Sequence, residues 1–390
     1  MTQLKTLWEI VKLATQLGFT SFGGPIAHLG FFHETYVKRH KWLNEKSYAD
    51  LVALCQFLPG PASSQVNMGI GIIRGGMLGG IVSFIGFTLP SVCALIIFAN
   101  VLNLFAIENT GAIQGLKIVA VVVVAHAIIN MGKKLTPSLS HKVIALCALI
   151  MMLLWQTTFS QIIVIITAAV IGLMFFKKDI DESDADLPLK LSKKTAIISL
   201  TLFFFLLFLL PLLREWIQKD WIAMFDSFYR SGALVFGGGH VVLPLLEREF
   251  VPPGFLTEQQ FLTGYGAAQA VPGPLFTFAA YIGAVKASWP GGLLATFAIF
   301  LPAFLLIFGT LPFWQQLRNN KTIRGAFVSV NAAVVGILIA AFYQPIWVST
   351  INSSNSFTFA AVLFSLLVHF KLPAWLIVVL GAIGGILLPL

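Results

Sequence analysis

Charge is what this sequence has least of. Only 11% of its 390 residues are Asp, Glu, Lys or Arg, against about 25% in a soluble domain. A soluble fold of this size would lack a polar surface to cover its core, so much of the apolar sequence must face lipid. Cysteine is also scarce. Cys55, Cys93 and Cys147 each stand alone in an apolar segment, which excludes a disulfide framework and a cysteine metal site. Histidines and carboxylates do not fall at metal-ligand spacings. No GxxxxGK followed by Ser or Thr is present, so ATP-driven work would need another subunit. With no catalytic set, the chain reads as neither an enzyme nor a cofactor protein. The first apolar stretch carries Glu9, Lys12 and Gln16 and no small-residue cleavage site. It therefore reads as part of the working chain rather than a signal peptide.

What is present points one way. Hydrophobic residues make up 57% of the chain, and the mean hydropathy is +0.88. The 35 Phe and nine Trp suit a lipid-facing surface with interfacial anchors. The 33 Gly and 18 Pro are tolerated in membrane helices. The net charge of +9 is spread over short basic runs between apolar stretches. That is loop behaviour, not a nucleic-acid surface.

Long apolar runs fall at 78–104, 113–131, 143–157, 160–176, 196–213, 290–312, 324–343, 356–370 and 374–390. Several reach the ~20 residues that cross a bilayer. Four further segments, 6–40, 46–73, 220–250 and 258–287, are apolar but interrupted. The interruptions read Gly23-Gly24-Pro25, Pro59-Gly60-Pro61, Gly237-Gly238-Gly239 and Pro272-Gly273-Pro274. Each removes helix propensity or a backbone donor where a continuous span needs both. Each segment therefore reads as two short helices joined at a break, either a half-depth hairpin or two full crossings. The stretch 177–195 is the only strongly hydrophilic one and reads as a cytoplasmic linker.

The breaks repeat. Phe22-Gly23-Gly24 matches Phe236-Gly237-Gly238, and Trp42-Leu43-Asn44-Glu45 matches Phe255-Leu256-Thr257-Glu258. Gln56 with Pro59-Gly60-Pro61 matches Gln269 with Pro272-Gly273-Pro274. Leu89-Pro90 matches Leu301-Pro302, and Gly115 matches Gly325, all at a nearly constant offset. The expected fold is an all-α polytopic membrane protein of two inverted structural repeats. Each repeat holds two broken or re-entrant segments plus about four transmembrane helices. Residues 1–176 form the N-terminal repeat and 214–390 the C-terminal one. The linker 177–195 and one extra transmembrane helix, 196–213, join them. That single crossing inverts the second half, and the basic residues agree. With the N-terminus inside, most of the 25 basic residues fall in cytoplasmic loops.

Inverted repeats with paired broken helices are a transporter design. The first residues of a helix have unpaired N–H groups and a partial positive charge, so a helix starting inside the membrane can hold an anion. Pro25, Pro61 and Pro274 suit the first helical position. Ser63, Ser64 and Gln65 follow one break and Thr277 its counterpart, and all can donate to oxyanion oxygens. The breaks themselves (Gly23, Gly24, Pro25; Pro59, Gly60, Pro61; Gly237, Gly238, Gly239; Pro272, Gly273, Pro274) and His240 complete the substrate-binding candidates. The competing reading is that Gly and Pro merely permit close packing or kinks. Four breaks at matched positions favour the functional one.

Glu9, Lys12, Gln16 and Thr20 share one helix face, and the repeat sets Asp226 opposite Lys12 and Arg230 opposite Gln16. Lys12 and Arg230 are candidates for attracting an anion. Equally, Glu9–Lys12 and Asp226–Arg230 can be local ion pairs. His28 and His240 each lie a few residues beyond a break, and His126 sits in a span with Asn130. Any of them could relay protons, though a lone histidine is more often a packing residue. Arg74 reads as a cytoplasmic anchor or as part of an entrance.

The stretch from Phe19 through Phe22-Gly23-Gly24-Pro25 to His28, then Trp42-Leu43, then Gln56-Phe57-Leu58-Pro59-Gly60-Pro61 with Gln65, resembles the chromate ion transporter family. Phe236-Gly237-Gly238-Gly239-His240 through Gln269-Ala270-Val271-Pro272-Gly273-Pro274 resembles its C-terminal repeat. The resemblance covers essentially the whole chain in the long, two-domain form. Gly239 stands where the first copy has Pro25. The resemblance implies export of chromate across a bacterial inner membrane, driven by potential or an ion gradient. Sulfate, a similar tetrahedral dianion, is the nearest competing substrate, and an anion channel the nearest competing mechanism. The lipid-facing surface permits a homodimer.

Overall fold

The computed structural model describes residues 3–22, 24–105, 111–155, 160–176, 191–236, 241–314 and 321–388. Among these, all regular structure is helical. Gly23, Gly237, Gly238, Gly239, His240 and most of the expected linker, 177–190, lie outside the described residues.

The first half runs through α1 (Gln3–Thr20), α2 (Gly24–Phe32, extended by a π-helical stretch His33–Arg39), α3 (Glu45–Phe57) and α4 (Ala62–Phe105). It continues through α5 (Gly111–Leu135), α6 (Leu139–Leu154) and α7 (Ser160–Phe175). Helix α8 (Lys193–Ile217) follows and contains the expected connecting span. The second half is α9 (Asp220–Leu234), α10 (Val242–Phe250), α11 (Glu258–Ala268), a 3-10 turn Leu275–Thr277 and α12 (Phe278–Thr310). It ends with α13 (Lys321–Ala341), α14 (Ser354–Val368) and α15 (Ala374–Leu387). Stretches in α4, α5, α8, α12 and α13 are long and apolar enough to cross a membrane. On α8, Phe204, Phe205, Phe208 and Leu212 are exposed, and such side chains belong in lipid. Trp216 and Trp221 flank the polar junction after α8, where interfacial tryptophans sit. The chain is a multi-pass membrane protein.

Matched sequence produces matched local structure. Asn44 caps α3 by accepting from Ser47 N–H at 2.8 Å, and its counterpart Thr257 caps α11 in a capping box with Gln260. Each cap satisfies a donor that the first helical turn leaves unpaired. Replacing Asn44 by Ala should cost about 1 kcal/mol, read as a lower melting midpoint in detergent. An unchanged midpoint would remove the cap from the account. At the surface beside α2, the Arg39 guanidinium bonded to Glu34 at 3.1 Å holds that carboxyl below its usual range.

Both α4 and α12 double back. Gly76 adopts φ +67° inside α4, and Ala287 and Ser288 leave helical geometry inside α12. Asn67 and Ser83 then face each other across α4, with Nδ2 donating to Ser83 O and Ser83 Oγ donating to Asn67 O, each at 3.0 Å. Gly71 meets Gly79, and Gly283 meets Gly291, with no room for a Cβ. The chain also reverses between α3 and α4, since a Cβ on Gly69 would lie 2.6 Å from Leu51 Cδ1. The limbs 45–57 and 62–75 are each about 20 Å long, too short for a ~30 Å hydrocarbon core. Each limb of segment 46–73 is thus shorter than a full crossing needs.

The helices gather into two compact units, each drawn from both halves of the sequence. The first contains residues 1–96, 179–239 and 272–320, the second 97–178, 240–271 and 321–390. In the first unit Gly18 packs on the backbone at Phe87, and its counterpart Gly232 packs on the backbone at Ile299. Phe84 meets Phe300 and Phe304 edge-on, with centroids 4.9 and 4.7 Å apart. In the second unit α5 packs on α15 through Gly115 and Gly381, while α13 packs on α7 through Gly325 and Gly172. Each partner choice is the repeat image of the other. Leu116, Val119, Val122, Leu363 and Ile377 lie in the core behind the first of these contacts.

Candidate functional site

The breaks in the first unit are tied to one another by backbone hydrogen bonds. Gly60 N–H donates to Val235 O at 2.7 Å, and Gly273 N–H donates to Ser21 O at 3.0 Å. Gly60 matches Gly273, and Ser21 matches Val235, so the two bonds are images of each other. Each fastens the Pro-Gly-Pro break of one half to the end of the first helix of the other. Both glycines are left-handed, at φ +113° and φ +104°, a conformation in which a side chain is strained. Behind them, a Cβ on Gly60 would lie 3.5 Å from Ala303 Cβ, and one on Gly273 would lie 2.8 Å from Ser91 Oγ. Ser91 and Ala303 follow the matched Pro90 and Pro302. Gly60 and Gly273 are thus brought against Val235 and Ser21, the residues just before the other two breaks.

His28 closes the arrangement on the first-half side. It is buried, with Nε2 3.1 Å from Ser21 O and Nδ1 3.3 Å from Ser63 Oγ. A carbonyl only accepts, so Nε2 carries the proton and Ser63 donates to Nδ1. Ser21 O thus takes two donors, from His28 and Gly273. The ring lies edge-on to Phe87, with centroids 5.4 Å apart. Gln65 Nε2 donates to Pro59 O at 2.9 Å, and Gln65 N–H to Pro61 O at 3.0 Å. Pro61 therefore stands just outside the first turn of α4. Pro274 likewise caps its 3-10 turn from outside. Thr277 spends its hydroxyl on Pro274 O at 2.7 Å.

Several buried polar atoms at this place have no protein partner: Ser21 Oγ, Ser64 Oγ, Gln65 Oε1 and Thr88 Oγ1. Buried polar atoms are nearly always satisfied, so they suit a polar guest. Gly24, at φ +76°, opens α2 with Pro25 as the next residue. The sequence reading missed Ser21, whose carbonyl accepts from both His28 and Gly273. It also missed Tyr36, Asn67 and Ser83, where Tyr36 Oη donates to Asn67 Oδ1 at 3.0 Å. Ser21 lies beside a break, which was an available signal. The carbonyl of Val235 carries none.

The charged candidates sit in ion pairs or at the surface. Asp226 is fully buried, with Arg230 Nε 3.1 Å from both carboxylate oxygens and Arg214 Nη1 3.4 Å from Oδ2. This is the local-pair reading, with Arg214 as an unforeseen third member. Glu9 pairs with Arg74 at 3.3 Å rather than with Lys12, which is exposed on α1. The physical reason is that the limb before the turn packs on α1, where a Cβ on Gly75 would lie 2.9 Å from Ile10 Cδ1. Arg74 also lies over Trp42, 5.2 Å from the ring centroid. Its matched residue Lys286 faces Asp220 at 3.8 Å. His126 bonds to Asn130 within α5 at 2.9 Å. Among the described residues no group of His, Cys, Asp and Glu is arranged to hold a metal.

Comparison with known proteins accords with this architecture. A chromate transport protein of Pseudomonas aeruginosa is 27% identical over 83% of this chain and 77% of its own length. A probable chromate transport protein of Synechococcus elongatus is 26% identical over 98% of this chain and 95% of its own. The uncharacterized transporter YwrA of Bacillus subtilis is 30% identical over 43% of this chain and 97% of its own, so a single half matches nearly a whole protein. No solved structure matches the chain. The chromate transporter family model matches twice, at residues 8–173 and 222–386, and the chain belongs to that family.

Proposed function

We propose that the protein is a secondary transporter that exports chromate across the bacterial inner membrane by alternating access. The observation that carries this reading is the reciprocal pair of bonds, Gly60 to Val235 and Gly273 to Ser21, with unspent buried hydroxyls beside them. Residues 1–176 and 214–390 act as inverted repeats, joined by the linker 177–195 and the helix 196–213. The anion sits at the start of α4, where the N–H groups of residues 62–64 have no helical partner and the dipole is positive. Ser64 and Ser21 add hydroxyl donors. The matched start at 275–277 faces the same ion from the second half. Gly60 and Gly273, whose own N–H groups are spent, hold the breaks in place. The names of the full-length relatives supply the substrate, and the membrane potential favours outward movement of an anion.

The test is flux in proteoliposomes, comparing chromate with sulfate under an imposed potential and then a pH gradient. Saturable chromate flux that sulfate barely inhibits is expected. Equal handling of the two ions would make this a general oxyanion carrier, and non-saturable flux a channel. No flux of either ion from folded protein would remove the substrate.

A further inference from the structure

Among the buried atoms left over at the break, Gln65 Oε1 differs in kind, because it can only accept. The amide's orientation is fixed, since Nε2 must be the atom that donates to Pro59 O at 2.9 Å. Oε1 is then turned away from that bond, in a residue with 0% exposure, and has no donor. Ser64 Oγ and Ser21 Oγ, likewise buried and without a partner beside the breaks, can donate. A bare tetrahedral dianion offers only lone pairs. It would satisfy the hydroxyls and the helix start but set an oxygen against Oε1, and an unpaired buried acceptor is penalised. A monoprotonated oxyanion offers one O–H and three accepting oxygens. That pattern answers both kinds of leftover group at once.

From this we infer that the species bound at the break is the monoprotonated oxyanion, hydrogen chromate rather than chromate, with its O–H donated to Gln65 Oε1. The inference rests on the functional reading above and names the ionic form that the same site takes. The second half cannot duplicate the contact. Phe278 stands at the position matching Gln65 and Phe276 at that of Ser63, while Thr277 has spent its hydroxyl. The anion therefore binds one way round, its protonated oxygen toward the first half. Chromate and hydrogen chromate interconvert near neutral pH, whereas sulfate and molybdate carry no proton there. One amide oxygen thereby separates ions of the same shape by whether they carry a proton.

The experiment measures chromate flux by the intact protein in proteoliposomes. The pH is equal on both sides and stepped from about 6 to about 8.5, with the potential clamped. The KM for total chromate should rise about tenfold per pH unit on the alkaline side of the ion's own pKa, with kcat unchanged. Titratable and charged groups on the elements packed against this end of α4 are His28 on α2, Asp50 and Cys55 on α3, Glu9 and Lys12 on α1, and Asp226 with Arg230 on α9. If one of these titrated instead, inhibition by molybdate would change in step, so a molybdate inhibition constant that stays level supports the inference. Gln65→Met keeps the volume and removes the acceptor. It should flatten the pH slope and strengthen inhibition by molybdate and sulfate about tenfold. A KM for total chromate that does not move with pH, or a Gln65→Met protein with the wild-type slope, would overturn the inference while leaving chromate transport standing. Absence of chromate flux at every pH would instead overturn the functional reading.

Discussion

Proteoliposomes carrying Gly60→Val should move chromate at less than about a tenth of the wild-type rate, and Gly273→Val should do the same. At both positions φ lies near +110°, and a residue with a side chain held there bears about 1–3 kcal/mol of strain. The new Cβ would also stand 3.2 Å from Gln65 Nε2 at Gly60, or 2.8 Å from Ser91 Oγ at Gly273. Gln65 must then give way and loosen its bond to Pro59, or the break must shift and lengthen the bond to Val235. About 1.4 kcal/mol lost from the transition state is already tenfold in rate. Gly60→Ala should fall between wild type and valine. Protein yield and elution in detergent serve as the control for folding. Wild-type flux in both valine variants would dismiss the breaks as the transport site.

The largest effect on stability is expected at Asp226. Its carboxylate is fully buried between Arg230 and Arg214. Asp226→Ala leaves two guanidinium groups without the anion they share, and breaking a buried pair in this way costs about 3–5 kcal/mol. Asp226→Asn should be nearly as harmful, because the amide turns donors toward donors. The double variant Asp226→Ala/Arg230→Met should recover much of the loss, since it removes charge from both sides. Thermal unfolding of the detergent-solubilised protein gives the comparison. A single alanine variant that melts with the wild type would show that the two arginines are held by other contacts.

Local chemistry in the chain foretold local structure well. The Pro-Gly-Pro breaks and the long apolar spans follow from backbone and side-chain preferences within a few residues. Partnerships across the chain were a different matter. Nothing about Val235 marks its carbonyl as the acceptor for Gly60, because every residue has such a carbonyl. Glu9 and Lys12 have the spacing of a helical ion pair, yet the packing of Gly75 on Ile10 brings Arg74 to Glu9. In α12 the same turn falls at Ala287 and Ser288, where no glycine announces it. The compact units were also hidden. Gly115 and Gly325 advertise close packing, but a glycine does not name the helix that will approach it. At the site, the hydroxyls of Ser63 and Ser64 look alike in sequence. Only the fold shows that His28 occupies one and leaves the other unspent.

The reciprocal bonds set a timetable for synthesis. When Gly60 enters the membrane its N–H has no acceptor, because Val235 has not been made. Ser21 waits in the same way for Gly273. At about 5–20 residues per second the delay is on the order of ten seconds or more. Through that interval the Pro-Gly-Pro break of the first half stays unlatched. Neither half holds both partners of either bond, and the second latch waits for Gly273. A ribosome that stalls between the halves leaves Gly60 N–H and Ser21 O without these partners.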